Sequence, residues 1–139
     1  MNRQLSFCSW NVRGLGQTTR RDDVLAELIS ARPTFVALQE TKLQSLEVHK
    51  PSSFLPCRLR SCVARDAIGA SGGMLTAWDQ QVCSLISTGC RPFTLTTKFK
   101  LASDASEFTL TNVYAPVRRV EKQAFFTELA SVAATICGA

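Results

Sequence analysis

The chain has 139 residues, of which 45% are hydrophobic and 19% are charged, a composition typical of one ordinary globular domain. These proportions exclude a fibrous or disordered protein, and no apolar run approaches the roughly 18 residues that a membrane-spanning helix needs. The formal net charge of +5 favours a polyanionic partner but does not identify one.

The amino terminus and the cysteines bear on the compartment. Residues 1–4 are polar and lead into no secretory apolar segment, which predicts an intracellular protein, nuclear or cytoplasmic. No two of the six cysteines form a Cys-x-x-Cys pair, and His49 is the only histidine, so the usual zinc-ligand spacing is missing. We therefore expect six free thiols, mostly in the core: Cys8, Cys57, Cys62, Cys83, Cys90 and Cys137.

The first predicted strand is Leu5–Val12. Its residues alternate between two faces that are both apolar, which predicts a central strand covered on both sides. The strand delivers Asn11 at its carboxyl end and runs into Arg13, Gly14 and Gly16. An arginine between these turn-forming residues suggests that an anionic group binds at this corner.

A helix and a second strand follow. Thr19–Asp22 has the form of a capping box, and four apolar residues then recur at helical spacing until Pro33: Val24, Leu25, Leu28 and Ile29. Phe35–Leu38 is a short apolar run typical of a buried strand, and it ends on Gln39 and Glu40. Strand, helix and strand within about forty residues predict a βαβ-like unit and the α/β class.

The remaining sequence predicts an irregular segment, a series of strands and a helix. Residues 44–56 carry a weak signal. Clear alternation in several later runs predicts half-exposed, antiparallel strands at Arg58–Val63, Gly73–Trp78, Val82–Thr88, Phe93–Leu101 and Phe108–Tyr114. The last helix is indicated by apolar residues at a spacing of 4-3-4, with Gly138 as its stop signal: Phe125, Leu129, Val132 and Ile136.

Polar residues mark the ends of three predicted strands. Asn11, Glu40 and Tyr114 each stand at a carboxyl end, where ligands bind in open α/β sheets. Basic residues follow each strand end within a few positions and are candidates for contacts with phosphate or nucleic acid: Arg13, Lys42, Arg118 and Arg119.

Each of these residues also has an ordinary structural interpretation. Asn11 with its glycines is a common turn, and Glu40 beside Lys42 is a solvated pair that is worth little energetically. Tyr114 before a proline packs a sheet edge in many proteins, and adjacent arginines commonly begin an exposed helix. No single residue decides between structure and function.

Four segments, taken together and in their order along the chain, are more informative than any single residue. They are SWNVRGLG (residues 9–16), FVALQETKL (35–43), SGGMLTAW (71–78) and LTNVYAP (110–116). Together they resemble the amino-terminal half of an endonuclease/exonuclease/phosphatase domain, most closely the nuclease domain of LINE-type non-LTR retrotransposons. The resemblance implies the amino-terminal half of a two-sheet α/β sandwich, with a mixed, mostly antiparallel sheet and flanking helices.

The same resemblance implies a divalent-metal-dependent phosphodiesterase that uses Mg²⁺ or Mn²⁺. Glu40 matches the family's metal-binding glutamate, and a carboxylate is the hard oxygen donor that Mg²⁺ prefers. Asn11 matches an asparagine that positions the metal and the phosphate, and Tyr114 matches a tyrosine that contacts the scissile phosphate. The implied partner is nucleic acid, with DNA favoured over RNA and no membrane.

The sequence also departs from the family pattern. Val117 stands where members often carry Asn or Asp after Tyr-x-Pro, and neither the Gly-Asp-x-Asn strand nor the Ser-Asp-His strand occurs in the 139 residues. The expectation is a single, carboxyl-terminally truncated domain over residues 1–139 that binds metal weakly and is inactive alone. We also expect it to supply only the first sheet, leaving an apolar face open to self-association.

Two other functions remain open. A remnant that binds nucleic acid without cleaving it would use the basic corner alone. A phosphatase of the same superfamily would act instead on a small phosphorylated substrate.

Overall fold

The computed structural model describes residues 4–45, 50–68 and 72–137. Three residues named above, His49, Ser71 and Gly138, lie outside these ranges. In chain order the elements are β1 (Phe7–Asn11), α1 (Thr18–Ala31), β2 (Phe35–Gln39), β3 (Ser61–Arg65), β4 (Met74–Trp78), β5 (Cys83–Cys90), β6 (Thr94–Leu101), β7 (Glu107–Val113) and α2 (Arg119–Cys137), with short 3₁₀ turns at Pro51–Ser53 and Cys57–Leu59.

The strands form two sheets. The first has the order β1-β2-β4-β3, and the second has the order β5-β6-β7. Only β1 and β2 run parallel, and every other described pair is antiparallel. The predicted α/β class, with two sheets and flanking helices, is confirmed; the first sheet is mixed and mostly antiparallel, and the second is antiparallel throughout.

The β1-α1-β2 unit explains why two candidate residues meet. Parallel neighbours need a crossover connection, and α1 supplies it. Val24 and Leu28 lie on the buried stripe of this helix and belong to one core cluster with Val36 and Leu38 of β2. In the resulting register Asn11 lies opposite Gln39, so both strands end at the same rim.

The start of α1 differs from the prediction. The helix begins at Thr18, its N-cap is Gln17, and no side chain caps it, so the capping box at Thr19–Asp22 is wrong. Arg21 organises the loop instead: Nη1 donates to the carbonyls of Leu15 at 2.8 Å and Gly16 at 3.0 Å, and Nη2 donates to Thr18 Oγ1 at 3.1 Å. A charged donor that reaches two loop carbonyls takes over the anchoring role expected of the cap.

The second sheet corrects another expectation. The chain supplies more than the first sheet, because β5, β6 and β7 fold over the face that was expected to lie open. Four aromatic rings from both sheets pack at this interface with centroids 5.1–5.4 Å apart: Phe35, Trp78, Phe99 and Phe108. This face is therefore covered from within the chain, and self-association through it loses its basis.

Two strand positions were predicted wrongly. β1 is an edge strand rather than a central one, and Phe7 is 56% exposed although its ring stacks on Phe35. The strand expected at Arg58–Val63 begins only at Ser61, because the preceding residues Cys57–Leu59 form a 3₁₀ turn.

The described cysteines are free thiols, and the side chain of Cys137 lies outside the description. Cys83 is buried, Cys8 and Cys62 pack against core clusters, and Cys57 and Cys90 are exposed. Burial, followed by the negative charge of Asp79, raises the pKa of Cys83 to about 11. Thiols held protonated in this way are poor nucleophiles, which fits a structural role for Cys83.

The helix α2 confirms the predicted last helix and packs against the second sheet at the start of β6. Phe125 packs edge-on against Phe93, and Glu128 Oε2 accepts hydrogen bonds from Phe93 N–H at 3.0 Å and Thr94 Oγ1 at 2.8 Å. Neither α2 nor any other described helix combines the length and apolarity needed to cross a bilayer.

Candidate metal and phosphate site

The backbone beyond β1 and β2 continues their pairing into the rim. Gly14 N–H donates to the Glu40 carbonyl at 2.7 Å, and Leu15 N–H donates to the Thr41 carbonyl at 2.9 Å. The β1–α1 loop is thereby bound to the segment that carries Glu40. The position of this glutamate is set by main-chain hydrogen bonds and not by its own side chain alone.

A second loop holds the same segment from its other side. Thr41 N–H donates to the Gly73 carbonyl at 3.2 Å, and Lys42 N–H donates to the Gly72 carbonyl at 2.9 Å. Gly73 has a φ of +91°, and a Cβ atom there would collide with the Thr41 side chain. A glycine is therefore required at position 73, both for its backbone angle and for this close approach.

Backbone strain is concentrated at this rim. Five described residues other than glycine have positive φ, and three of them are Arg13 at 53°, Glu40 at 52° and Lys42 at 56°. Such conformations cost about 1–3 kcal/mol each and persist only where surrounding contacts determine them. Their clustering around the predicted glutamate marks this corner as a candidate functional site.

Asn11 and Glu40 are in direct contact. Asn11 Nδ2 donates to Glu40 Oε2, while Asn11 Oδ1 accepts a hydrogen bond from Arg13 N–H at 3.1 Å. The asparagine thus links the carboxylate to the backbone of the β1–α1 loop. One amide side chain fixes the orientation of the acid and the course of the loop together.

Tyr114 lies within electrostatic reach of this pair. Its N–H donates to the Phe93 carbonyl at 2.9 Å, which holds it just beyond β7. Burial raises the pKa of Tyr114, and the negative charges of Glu40 and then Glu121 raise it further. Tyr114, which directly follows β7, is therefore close enough to Glu40 for the charge of this carboxylate to affect its pKa.

The predicted basic residues are distributed unevenly around the site. A Cβ atom at Gly14 would lie 3.4 Å from Lys42 Cδ, so Lys42 and the adjacent Arg13 flank the same loop. Arg118 is 3.6 Å from Glu121, an exposed pair that contributes little stability. Arg119 is exposed at the start of α2, and no hydrogen bond or ion pair joins it to the other described site residues.

Two polar residues beneath the rim were not predicted from the sequence. Gln39 Nε2 donates to Asn112 Oδ1 at 2.9 Å and also to Ser9 Oγ at 3.1 Å. Gln39 directly precedes Glu40, and Asn112 lies two residues before Tyr114. Gln39 belongs to the segment FVALQETKL and Asn112 to the segment LTNVYAP, but no local sequence pattern indicates that the two side chains are in contact.

The donor chemistry suits a hard cation only in part. Over residues 4–45, 50–68 and 72–137, no three His, Cys, Asp or Glu side chains gather into a metal-binding group. Glu40 offers one partly exposed carboxylate, and the Asn11 oxygen is already engaged by Arg13. Mg²⁺ commonly uses one or two carboxylates and completes its shell with water and substrate phosphate, so Glu40 fits as a single protein ligand.

Comparison with known proteins identifies the family. Residues 8–133 match the model of the Endonuclease/Exonuclease/phosphatase family, and the chain therefore belongs to this family. No curated protein sequence matches the chain.

Solved structures share the fold at low sequence identity. A functionally unknown conserved protein from Enterococcus faecalis V583 is 16% identical with a TM-score of 0.73, and the match covers 95% of this chain and 62% of that protein. A humanized TDP2 from D. rerio is 18% identical with a TM-score of 0.66, the match covering 92% and 54% of the two chains. The AP endonuclease LMAP from Leishmania major is 21% identical with a TM-score of 0.59 and coverages of 81% and 40%. The chain thus spans between 40% and 62% of the length of these three proteins.

Proposed function

We propose that the rim formed by Asn11, Glu40 and Tyr114 is the metal- and phosphate-binding corner of a nucleic-acid phosphodiesterase. The observation that carries the proposal is the hydrogen bond from Asn11 to Glu40, with Tyr114 close enough for the charge of Glu40 to raise its pKa. Family membership makes hydrolysis of phosphate esters the class of reaction to consider.

In this proposal Glu40 holds a divalent cation, Mg²⁺ or Mn²⁺, through its carboxylate. Asn11 orients that carboxylate by donating to one of its oxygens and so leaves the other oxygen free to bind. A bound cation would supply charge stabilisation at the phosphate oxygens during in-line displacement by water. With Glu40 as the one proposed carboxylate ligand, and no group of three His, Cys, Asp or Glu side chains among the described residues, the affinity is expected to be weak.

Tyr114 and the basic residues would act on the substrate. The pKa of Tyr114 lies above the ordinary value of 10.0, so its hydroxyl is protonated at neutral pH, as in any phenol, and can donate a hydrogen bond to a phosphate oxygen. Arg13 and Lys42 are exposed and form no ion pair in the described ranges, which leaves them available for a phosphate backbone. Arg118 and Arg119 would extend this contact from the start of α2.

The finer assignment is an endonuclease of retroelement origin that acts on DNA. It is supported by the residues of the four motifs, and the solved structures of similar fold include AP endonucleases. We further propose that residues 1–139 form a partial domain that does not complete catalysis. The motifs that hold the family's general base and histidine do not occur in these residues, and each such group commonly contributes a factor of about 10²–10⁴.

Manganese binding and plasmid nicking test this proposal together. We expect the purified chain to bind Mn²⁺ weakly, as measured by its electron paramagnetic resonance, and Glu40→Ala to abolish that binding. Glu27→Ala is the matched control, because Glu27 is an exposed glutamate on α1 away from the rim. Equal Mn²⁺ binding by the parent and Glu40→Ala would refute the metal site.

The nicking assay addresses catalysis. With Mg²⁺ and supercoiled plasmid, we expect no nicking above the buffer control. Strong nicking that disappears in Glu40→Ala would show that other residues of this chain complete the site. The alternative of binding without cleavage is favoured by Arg13 and Lys42, which form no ion pair with any described residue, and it predicts salt-sensitive DNA affinity that survives in Glu40→Ala.

A further inference from the structure

A buried polar network lies directly beneath the proposed site and joins the two sheets. Its centre is Asn112 on β7, which is 1% exposed. Asn112 Nδ2 donates to the carbonyls of Leu38 at 3.1 Å and Leu75 at 3.0 Å, and to Thr76 Oγ1 at 3.3 Å. Its Oδ1 accepts from Gln39 Nε2 at 2.9 Å.

This network differs from the rest of the interface between the sheets. Among the described strand residues, every hydrogen bond that runs from one sheet to the other involves Asn112. The remaining contacts are apolar, and apolar packing is non-directional. Hydrogen bonds have defined distances and angles, so the bonds of Asn112 are the directional contacts between the described strands of the two sheets.

The position of the network gives it a specific consequence. Gln39 directly precedes Glu40, while Asn112 lies two residues before Tyr114 on the other sheet. The Glu40 carboxylate therefore follows a strand of the first sheet, and the Tyr114 phenol follows a strand of the second sheet. The Gln39–Asn112 hydrogen bond joins these two strands close to both side chains.

We propose that Asn112 is a positioning residue that fixes the distance between Tyr114 on the second sheet and Glu40 on the first. It acts through Gln39 and the carbonyls of β2 and β4, and it does not touch the substrate. The inference rests on the proposed function, because it treats Glu40 and Tyr114 as partners in one site. Without the network the sheets would still pack through their aromatic rings, but the distance between Tyr114 and Glu40 would no longer be fixed.

The test uses the single tyrosine of the sequence. Incorporation of 3-fluorotyrosine labels Tyr114 alone, and Mn²⁺ bound at Glu40 broadens its ¹⁹F resonance according to their separation. In the parent we expect clear broadening. In Asn112→Leu, which keeps similar volume but removes the hydrogen bonds, we expect Mn²⁺ still to bind and most of the broadening to be lost. Unchanged broadening in a folded Asn112→Leu protein would overturn the proposal.

A control and a second variant keep the result specific. Thr111→Val removes the neighbouring hydroxyl, which contacts Thr96 Oγ1 at 3.2 Å on the other face of β7, and should leave the broadening unchanged. Should Asn112→Leu fail to fold, Gln39→Met deletes only the Gln39 end of the network and should cause a smaller but measurable loss of broadening, because the Asn112 Nδ2 bonds to the first sheet remain; unchanged broadening would overturn the proposal.

Failure of the proposed function is recognised separately. A parent protein that binds no Mn²⁺ would refute the metal site, and the positioning role is then measured without metal. The ¹⁹F chemical shift of Tyr114 should move when Glu40→Gln removes the nearby charge, and it should move much less when Asn112→Leu is also present. An equal shift in both backgrounds would overturn the role of Asn112.

Discussion

The two ends of the sandwich hold the same pair of sheets together by different means. At one end four aromatic rings interlock, and Phe99 and Phe35 are almost completely buried. At the other end the contact is the Gln39–Asn112 network, topped by the strained corner that carries Glu40. The aromatic end supplies cohesion, because ring burial contributes energy without demanding one geometry. The polar end supplies position, because each buried donor requires its own acceptor.

This division follows from the strand directions. β1 and β2 run parallel with both carboxyl ends at the rim, and β7 also runs toward it, so Asn11, Glu40 and Tyr114 collect at one end. The amino-terminal ends of β1 and β2 meet at the opposite end, where Phe35 begins its strand. A site and its supporting core can therefore occupy the two ends of one short sandwich.

The largest expected effect comes from breaking the aromatic end. Phe99→Ala removes a fully buried ring that contacts Phe35, Trp78 and Phe108, and should lower the free energy of unfolding by about 3–5 kcal/mol. Urea denaturation measures the loss. Protein that remains folded should retain the Mn²⁺ affinity of the parent; a parallel loss of affinity would show that the two ends are not separable.

A smaller effect is expected at the strained corner. Gly73→Ala forces a Cβ atom against Thr41 at a φ of +91° and should cost about 1–3 kcal/mol. Gly16→Ala is the matched control, because a Cβ atom there meets nothing within 4 Å. Urea denaturation compares the two variants. Equal stability of both would show that the backbone of the rim is not tightly determined.

The third prediction compares how the basic residues at the two ends of the sandwich contribute to DNA binding. If four basic residues at the rim contact DNA, affinity should fall with salt at a log-log slope of roughly −3 to −4, within the non-specific range of about 10⁻⁴–10⁻⁶ M. Arg118→Ala with Arg119→Ala should flatten the slope by up to about two contacts. Fluorescence anisotropy over a salt series measures it.

The control for this experiment lies at the opposite end. Arg32→Asn with Lys100→Ala removes two exposed cations from beside the amino-terminal ends of β2 and β7. The slope should then stay close to that of the parent. Equal flattening by both double variants would indicate binding through net charge alone.

The smallest effect concerns pH. The pKa of Tyr114 is raised in the folded chain above its ordinary value of 10.0, by burial first and then by Glu40 and Glu121. The folded state therefore holds this proton more tightly than the unfolded state does. The resulting stabilisation is complete below pH 10 and is lost as pH rises through the folded-state pKa.

Absorbance of the tyrosinate reports this titration directly, because Tyr114 is the only tyrosine. Glu40→Gln should lower its pKa toward the ordinary value, while Glu27→Gln should not change it. An unchanged pKa in Glu40→Gln would mean that the rim does not bring the two side chains together in solution.

Local patterns in the sequence were sufficient for the order of helices and strands, the α/β class and the three strand-end residues. Alternation and helical spacing show which side chains of a segment are buried, and this pattern indicates the secondary structure of a short segment without reference to the rest of the chain. On this basis the sequence predicted the strand Leu5–Val12, which the structure has at Phe7–Asn11, and a last helix through Phe125 and Ile136, which the structure has at Arg119–Cys137. The four motifs also predicted the family, which the match of the family model to residues 8–133 confirms. Retroelement origin stays a prediction.

Only the tertiary structure decided how these elements meet. Gln39 and Asn112 are 73 residues apart, so no local pattern reports their hydrogen bond, and the missing capping box was replaced by Arg21 reaching loop carbonyls. The left-handed backbone of Arg13, Glu40 and Lys42 is unfavourable for each residue alone and exists because loops on both sides bind the segment. Likewise, the edge position of β1 follows from which strands pair, a choice that depends on the whole chain.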